Sequence, residues 1–177
     1  NNYKVISMHD IGQYVDAVKA ATVLPLPAAT PDITILDPAL LATSSTFTSS
    51  NVVCTVTVAG AQKTFTGTGA GRVLISGSIS GNASLMLSAP YVLELAPSSG
   101  ANALTGINAT SSVLRITSKG INGAPLTLQD STLQLEDPLN ASQTFTSLMT
   151  LVGSNTVQSL DSRGETLANR ITGSGSV

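Results

Sequence analysis

The sequence predicts an all-β fold, either a β-solenoid of about 20-residue units or an antiparallel β-sandwich or jelly roll, with a short N-terminal amphipathic helix. Three observations lead to this prediction. Apolar runs of β-prone residues recur along the chain, and turn-forming glycine, asparagine and proline lie between them. The core must be aliphatic, because the 177 residues include only three Phe, three Tyr and no Trp. A chain of this length is expected to form one domain.

The repeat of apolar runs is the feature of the sequence that bears most on architecture. Successive runs start at a nearly regular spacing, at Val52, Val73, Val92, Val113, Leu133 and Leu151. A second run follows each of the first five just past the middle of the period, at Phe65, Leu85, Leu104, Leu126 and Phe145. A regular repeat favours the solenoid, whereas the drift in spacing favours a sandwich in which each period is a hairpin. The sequence leaves both architectures open.

Residues 1–22 are expected to form a helical arm. Apolar side chains recur there at helical spacing and would line one face, namely Met8, Ile11, Tyr14, Val15 and Val18. A single amphipathic helix needs a surface to bury its apolar stripe against. We therefore predict that these five side chains contact a neighbouring subunit or cap the end of the sheets. Residues 23–32 follow as an extended, proline-rich linker.

The rest of the chain divides into a repetitive β domain over residues 33–153 and a polar C-terminal part over residues 154–177. After residue 153 the repeat is no longer visible, and the most charged stretch of the chain follows. Leu160, Leu167 and Ile171 are spaced for a short capping helix. The glycine- and serine-rich end predicts a flexible tail.

The composition excludes some classes of function and favours association. Only 10% of the residues are charged, the net charge is −2, and the eight lysines and arginines are scattered singly. Because phosphate binding needs a basic patch, we expect no nucleic-acid partner. The chain has no long apolar run, so we expect no membrane-spanning helix. A surface with so little charge tends to associate, which favours a homo-oligomer.

Candidates for catalysis or metal binding are few. His9 is the only histidine and Cys54 the only cysteine, so we predict no enzyme activity, no cofactor and no metal. Glu94 and Glu136 occupy similar positions in two related segments. In a stack they would share a face two turns apart, where a pair of carboxylates could cleave a glycan. Two solvent-facing strand residues are the simpler interpretation.

Two surface patterns leave further alternatives. Threonines alternate with other residues between Thr43 and Thr68, a ladder of the kind an ice-binding solenoid would present. We interpret it instead as β propensity on a half-exposed sheet, because the pattern fades after Thr68. Asn82, Asn108 and Asn140 begin N-glycosylation sequons at predicted turns. Chance occurrence is the simpler explanation in a chain with 23 Ser and 22 Thr.

These features predict a structural protein. Our first hypothesis is a self-assembling virion protein (a capsid, decoration or tail component) that contacts copies of itself and other virion or surface structural proteins. The first alternative is a secreted adhesin or an extracellular filament subunit. The second alternative is a glycan-active β-helix enzyme that uses Glu94 and Glu136. The expected location is the virion or, for the first alternative, the cell exterior.

Overall fold

The computed structural model describes residues 30–136, 143–160, 165–168 and 170–176. The chain divides into two compact units, Asn1–Thr30 and Pro31–Val177, and the described residues belong almost entirely to the second. Most of the predicted linker and the whole predicted helical arm lie outside the described residues. The same holds for the five candidate contacts of the arm, Met8, Ile11, Tyr14, Val15 and Val18.

The described part of the chain folds as a β-solenoid of about 5 turns, which confirms the all-β prediction and the first of its two architectures. In chain order the strands are β1 (Ile33–Ile35), β2 (Ser45–Thr48), β3 (Val52–Ala59), β4 (Gln62–Gly69), β5 (Arg72–Ile75), β6 (Ala83–Leu87), β7 (Val92–Leu95), β8 (Leu104–Thr110), β9 (Val113–Ile116), β10 (Leu126–Gln129), β11 (Thr132–Leu135), β12 (Thr144–Phe145), β13 (Met149–Val152), β14 (Thr156–Ser159), β15 (Thr166–Leu167) and β16 (Ile171–Gly173). A 3-10 helix, Pro38–Leu41, follows β1, and a short helix, α1 (Ser118–Ile121), follows β9.

Three sheets make the faces of the solenoid. The six-strand sheet has the order β1-β5-β7-β9-β11-β14, and the eight-strand sheet has the order β16-β13-β10-β8-β6-β4-β3-β2. A two-strand sheet of β12 and β15 forms a third face in the last turns. Every pairing between these strands is parallel except those that join β2, β3 and β4. The alternative of an antiparallel sandwich is therefore wrong.

The apolar runs of the sequence are strands, although they do not all join one sheet. Four fully buried side chains stack in register on the six-strand sheet, one from each successive turn, namely Val73, Leu93, Leu114 and Leu133. Val52 instead lies in the antiparallel β3, Leu151 lies in the eight-strand sheet, and Phe145 lies in the two-strand sheet. A short apolar run specifies a strand but not the sheet that it joins, since that choice depends on the loops around it.

Drift in the repeat is absorbed outside the strands. Leu133 and Val157 are in register on β11 and β14. From β5 onward in the six-strand sheet, no other pair of residues in register on adjacent strands is so far apart along the chain. The additional length lies between β11 and β14, where the chain also forms β12 and β13. An irregular period is therefore compatible with a regular stack.

An antiparallel meander of β2, β3 and β4 forms the N-terminal end of the eight-strand sheet. It lies in the chain between β1 and β5, which nevertheless pair directly through Ile33 and Val73. Leu41 from the 3-10 helix and Val56 from β3 are fully buried at this end. The segment between β1 and β5 therefore covers the apolar interior here.

Buried polar side chains join successive turns at the corner between the eight-strand and six-strand sheets. Oγ of Ser112 accepts a hydrogen bond of 3.0 Å from the N–H of Ala89, one turn earlier. Oγ of Ser131 accepts one of 3.2 Å from the N–H of Ser112, and Oδ1 of Asn155 accepts one of 3.1 Å from the N–H of Ser131. These side chains satisfy backbone donors that the strands leave unpaired where each turn bends.

The solenoid continues past the predicted boundary at Gly153. Strands β14, β15 and β16 add another layer to all three sheets, and Ser154 forms a parallel bridge with Ser176. Leu167 and Ile171, which the sequence assigned to a capping helix, lie in strands, and Leu160 follows β14. Among the described residues, no helix has the length and apolar character needed to cross a membrane.

Candidate functional site

The outer face of the six-strand sheet carries a row of alternating charges. Nη1 of Arg72 lies 2.8 Å from Oε2 of Glu94, and Nη1 of Arg115 lies 3.6 Å from the same oxygen. Nε of Arg115 lies 3.9 Å from Oε2 of Glu136 and donates a hydrogen bond of 3.0 Å to Oε1 of Gln134. These contacts cross four successive strands, so the row joins turns by side chains as well as by backbone.

Glu94 and Glu136 do share a face, as the sequence predicted, but their surroundings differ from that prediction. Glu94 is in register with Arg115, which is in register with Gln134, so Glu136 is displaced by two positions along the sheet. Glu94 is only 6% exposed, which corrects its assignment as a solvent-facing residue. Arg115 contacts both carboxylates, and such a pairing favours a structural role over a pair of free carboxylates facing a glycan.

Burial dominates the titration of Glu94. It raises the pKa of this carboxyl above its ordinary value of 4.5, and the negative charge of Glu136 raises it further. The positive charges of Arg72 and Arg115 and the hydrogen bond from Arg72 act in the opposite direction on the pKa without cancelling the increase.

The outer face of the eight-strand sheet has a different chemistry, because threonines from separate strands align across it. One row contains Thr57, Thr64, Met86, Asn108, Thr127, Thr150 and Thr172 in register on seven adjacent strands. A shorter row two positions away contains Thr46, Thr55 and Thr66. The sequence prediction that the threonine pattern fades after Thr68 is thus incomplete, because isolated threonines join the rows through strand register.

None of the outward-facing positions in these eight strands carries an ionisable or aromatic side chain. Lys63 is the only charged residue within the strands of this sheet. It is in register with the buried Leu85 and donates a hydrogen bond from Nζ to the carbonyl oxygen of Leu41, on the opposite side of the sheet from the threonines. The two principal faces of the solenoid therefore differ, one charged and internally paired, the other neutral and rich in hydroxyls.

The last turn leaves apolar side chains uncovered. Three inward-facing residues lie directly over buried residues of the preceding turn, namely Val157 over Leu133, Leu167 over Phe145 and Ile171 over Met149. Ile171 is 46% exposed, and Val157 and Leu167 are half-buried. Strands β14, β15 and β16 are each the terminal strand of their sheet in the described part of the chain. The sequence did not predict this terminal surface, defined by Val157, Leu167 and Ile171, because the spacing of Leu167 and Ile171 was assigned to a helix and Val157 stands alone among polar residues.

Other features of the described residues do not gather reactive groups. A polar pocket of about 300 Å³ beside α1 contains a single ionisable side chain, Lys119. Cys54 is buried, and the hydroxyl of Tyr91 donates a hydrogen bond of 3.2 Å to its Sγ atom. Burial raises the pKa of both groups. No cluster of three potential metal ligands occurs in the part of the chain that the structure describes.

The sequon residues Asn82 and Asn108 are exposed, whereas Asn140 lies outside the described residues.

Comparison with known proteins gives no identity. No family model matches the chain, and neither a curated protein nor a solved structure is similar to it.

Proposed function

We propose that this protein is a structural, self-assembling subunit, most specifically a capsid, decoration or tail component of a virion. The observation that carries the proposal is the terminal surface formed by Val157, Leu167 and Ile171. It is an apolar cross-section of the solenoid interior, bordered by three strand edges. A second solenoid placed on this surface would bury the three side chains and could pair with the strand edges.

The energetics of such a contact are favourable. Complete burial of an aliphatic side chain contributes about 1.5–3 kcal/mol, so three partly exposed residues provide several kcal/mol toward the cost of association. Backbone hydrogen bonds along strand edges add affinity and fix the orientation of the partner. The small number of charges elsewhere on the chain offers little electrostatic repulsion between copies.

The test compares two double variants by light scattering and sedimentation over a range of concentrations. Leu167→Lys with Ile171→Lys places charges on the terminal surface and should shift the protein toward the monomer. Thr156→Lys with Thr166→Lys is the matched control, because these exposed residues lie on β14 and β15 and face outward. The control should associate like the unmodified chain.

Electron microscopy of the purified chain, alone and mixed with virions, tests the virion assignment. Ordered assemblies or decorated particles are expected. A stable monomer that does not bind virions would overturn the proposal. So would a Leu167→Lys, Ile171→Lys variant that associates like the unmodified chain.

The alternative of a secreted adhesin or extracellular filament subunit is favoured by one observation. Asn82 and Asn108, each within an N-glycosylation sequon, expose their side chains. Asn82 also lies in a turn, with φ of 52°. Mass spectrometry of protein from its natural source would favour this alternative if glycan is attached to either residue.

A further inference from the structure

We propose that the outer face of the eight-strand sheet binds ice. Two observations support the proposal, namely the alignment of threonines by strand register and the absence of ionisable side chains from the outward positions of these eight described strands. This inference does not depend on self-assembly, because the face lies beside the terminal surface and not within it.

The threonines occupy two rows on β3 and β4, and a single, interrupted row continues from there to β16. Thr46, Thr55 and Thr66 lie side by side on β2, β3 and β4, with the Oγ1 atoms of Thr46 and Thr55 3.3 Å apart. At the other end of the sheet, Thr150 and Thr172 are in register and their Oγ1 atoms are 3.4 Å apart. Hydroxyls that contact each other in this way have restricted orientations, so the array is ordered before it meets a ligand.

The spacing of the array follows from sheet geometry. Adjacent strands are about 4.8 Å apart, and alternate residues along one strand are roughly 6.7 Å apart. These backbone repeats are close to the spacings between oxygen atoms on faces of hexagonal ice, whereas the hydroxyl pairs at 3.3 and 3.4 Å are closer together than one strand spacing. Each threonine presents a methyl group, which favours an ordered shell of water, and a hydroxyl that can hydrogen-bond to that shell.

The chemistry of the face disfavours other ligands. Without a lysine or arginine among its outward positions, the face offers no attraction for phosphate or nucleic acid. Without an aromatic side chain it lacks the usual platform for a sugar ring. Ice is a neutral, flat and periodic ligand, and these are the properties that the array matches.

The longer row is interrupted where Met86 and Asn108 replace threonine on β6 and β8. Both side chains are exposed. A threonine at each position would join Thr57 and Thr64 on one side to Thr127, Thr150 and Thr172 on the other. The interruption predicts weak activity in the natural chain and stronger activity in the completed row.

The experiment measures thermal hysteresis and inhibition of ice recrystallisation with the full chain. Thr64→Lys combined with Thr150→Lys should abolish both activities, whereas Met86→Thr combined with Asn108→Thr should increase them several-fold. The matched control, Thr156→Lys with Gln158→Lys, places the same charges on exposed positions of the six-strand sheet and should retain the activity. Circular dichroism and thermal melting of all variants establish that they are folded.

An inactive natural chain overturns the proposal, even if the completed row is active. It is also overturned if the folded Thr64→Lys, Thr150→Lys variant keeps the activity, or if the control on the six-strand sheet loses it. Binding of the face to a neutral polysaccharide, or to a second copy of the chain, without any effect on ice growth would equally exclude ice as its ligand.

Discussion

Arg72 and Glu94 form an ion pair of 2.8 Å between adjacent turns of the solenoid, and both side chains are largely shielded from water. The pair lies on the outer face of the six-strand sheet, where Arg115 approaches the same carboxylate from the opposite side. Breaking a shielded pair leaves a charge without compensation, so the row constrains which turn stacks on which. The same shielding makes the row sensitive to pH.

The free energy of unfolding should increase as the pH falls through the raised pKa of Glu94, and this increase should level off below 4.5, its ordinary value. The reason is that a carboxyl whose pKa is higher in the folded chain binds its proton first in that state. Urea denaturation at several pH values from neutral to mildly acidic measures the slope. Glu94→Gln should flatten it, and Glu136→Gln should flatten it less, because Glu136 is only the second cause of the shift. Equal slopes in the natural chain and Glu94→Gln would show that Glu94 does not cause the pH dependence of stability.

The stability that Asp32 contributes should depend on pH in the opposite direction to that of Glu94. Its carboxylate accepts hydrogen bonds of 2.8 Å from the N–H of Arg72 and 2.7 Å from Nδ2 of Asn51, and these two bonds lower its pKa below 3.8. A lowered pKa contributes stability that is present above 3.8 and lost as the pH falls through the folded value. A ¹³C titration of the carboxyl should therefore give a pKa below 3.8, and Asn51→Ala should move it part of the way back. If Asn51→Ala leaves the pKa of Asp32 unchanged, the hydrogen bond from Asn51 does not lower it.

Much of the solenoid could be predicted from the sequence because a local pattern of residues specifies each strand. The alternation of buried residues around Leu114 and Leu133 is visible in the chain itself. Strand register is not visible in the sequence, since it depends on the combined lengths of the loops in each turn. Thr127 and Thr150 therefore gave no signal, although they are neighbours in the sheet, because a full turn of the solenoid separates them in the chain. The burial of Glu94 was missed for a similar reason, because the arginines that contact it come from other turns.

A glycine in β4 is required by the close approach of β3. A Cβ atom on Gly67 would lie 1.8 Å from the carbonyl oxygen of Val53, and its φ of +145° is unfavourable for other residues. Gly67→Ala should lower the free energy of unfolding by about 1–3 kcal/mol or more, as expected for overpacking. Gly106→Ala is the control on the same sheet, because its nearest neighbour, the carbonyl oxygen of Pro125, would be 3.7 Å away. That variant should be unchanged or more stable by about 0.4–1 kcal/mol, and similar losses in both variants would show that the contact with Val53 is not decisive.

Asn102 should be the most sensitive asparagine among the described residues, because it joins three turns from a buried position. Oδ1 accepts a hydrogen bond of 2.8 Å from the N–H of Ile79, and Nδ2 donates one of 2.7 Å to the carbonyl oxygen of Gly120. Asn102 is 1% exposed, so water cannot replace these bonds when the side chain is removed.

Asn102→Ala leaves two buried backbone groups without partners, each costing about 1–3 kcal/mol, and should lower the free energy of unfolding by about 2–6 kcal/mol. Chemical denaturation followed by circular dichroism measures the loss. The control is Asn108→Ala, an exposed asparagine on β8 whose replacement should change the free energy by no more than about 0.5 kcal/mol. Since stability in stacked repeats is a sum of contributions from each turn and from the contacts between neighbouring turns, the loss should also weaken the turns on both sides of Asn102. Hydrogen exchange should then accelerate at Ile79 and Gly120 before it does at Met149, and uniform acceleration along the chain would contradict this local role.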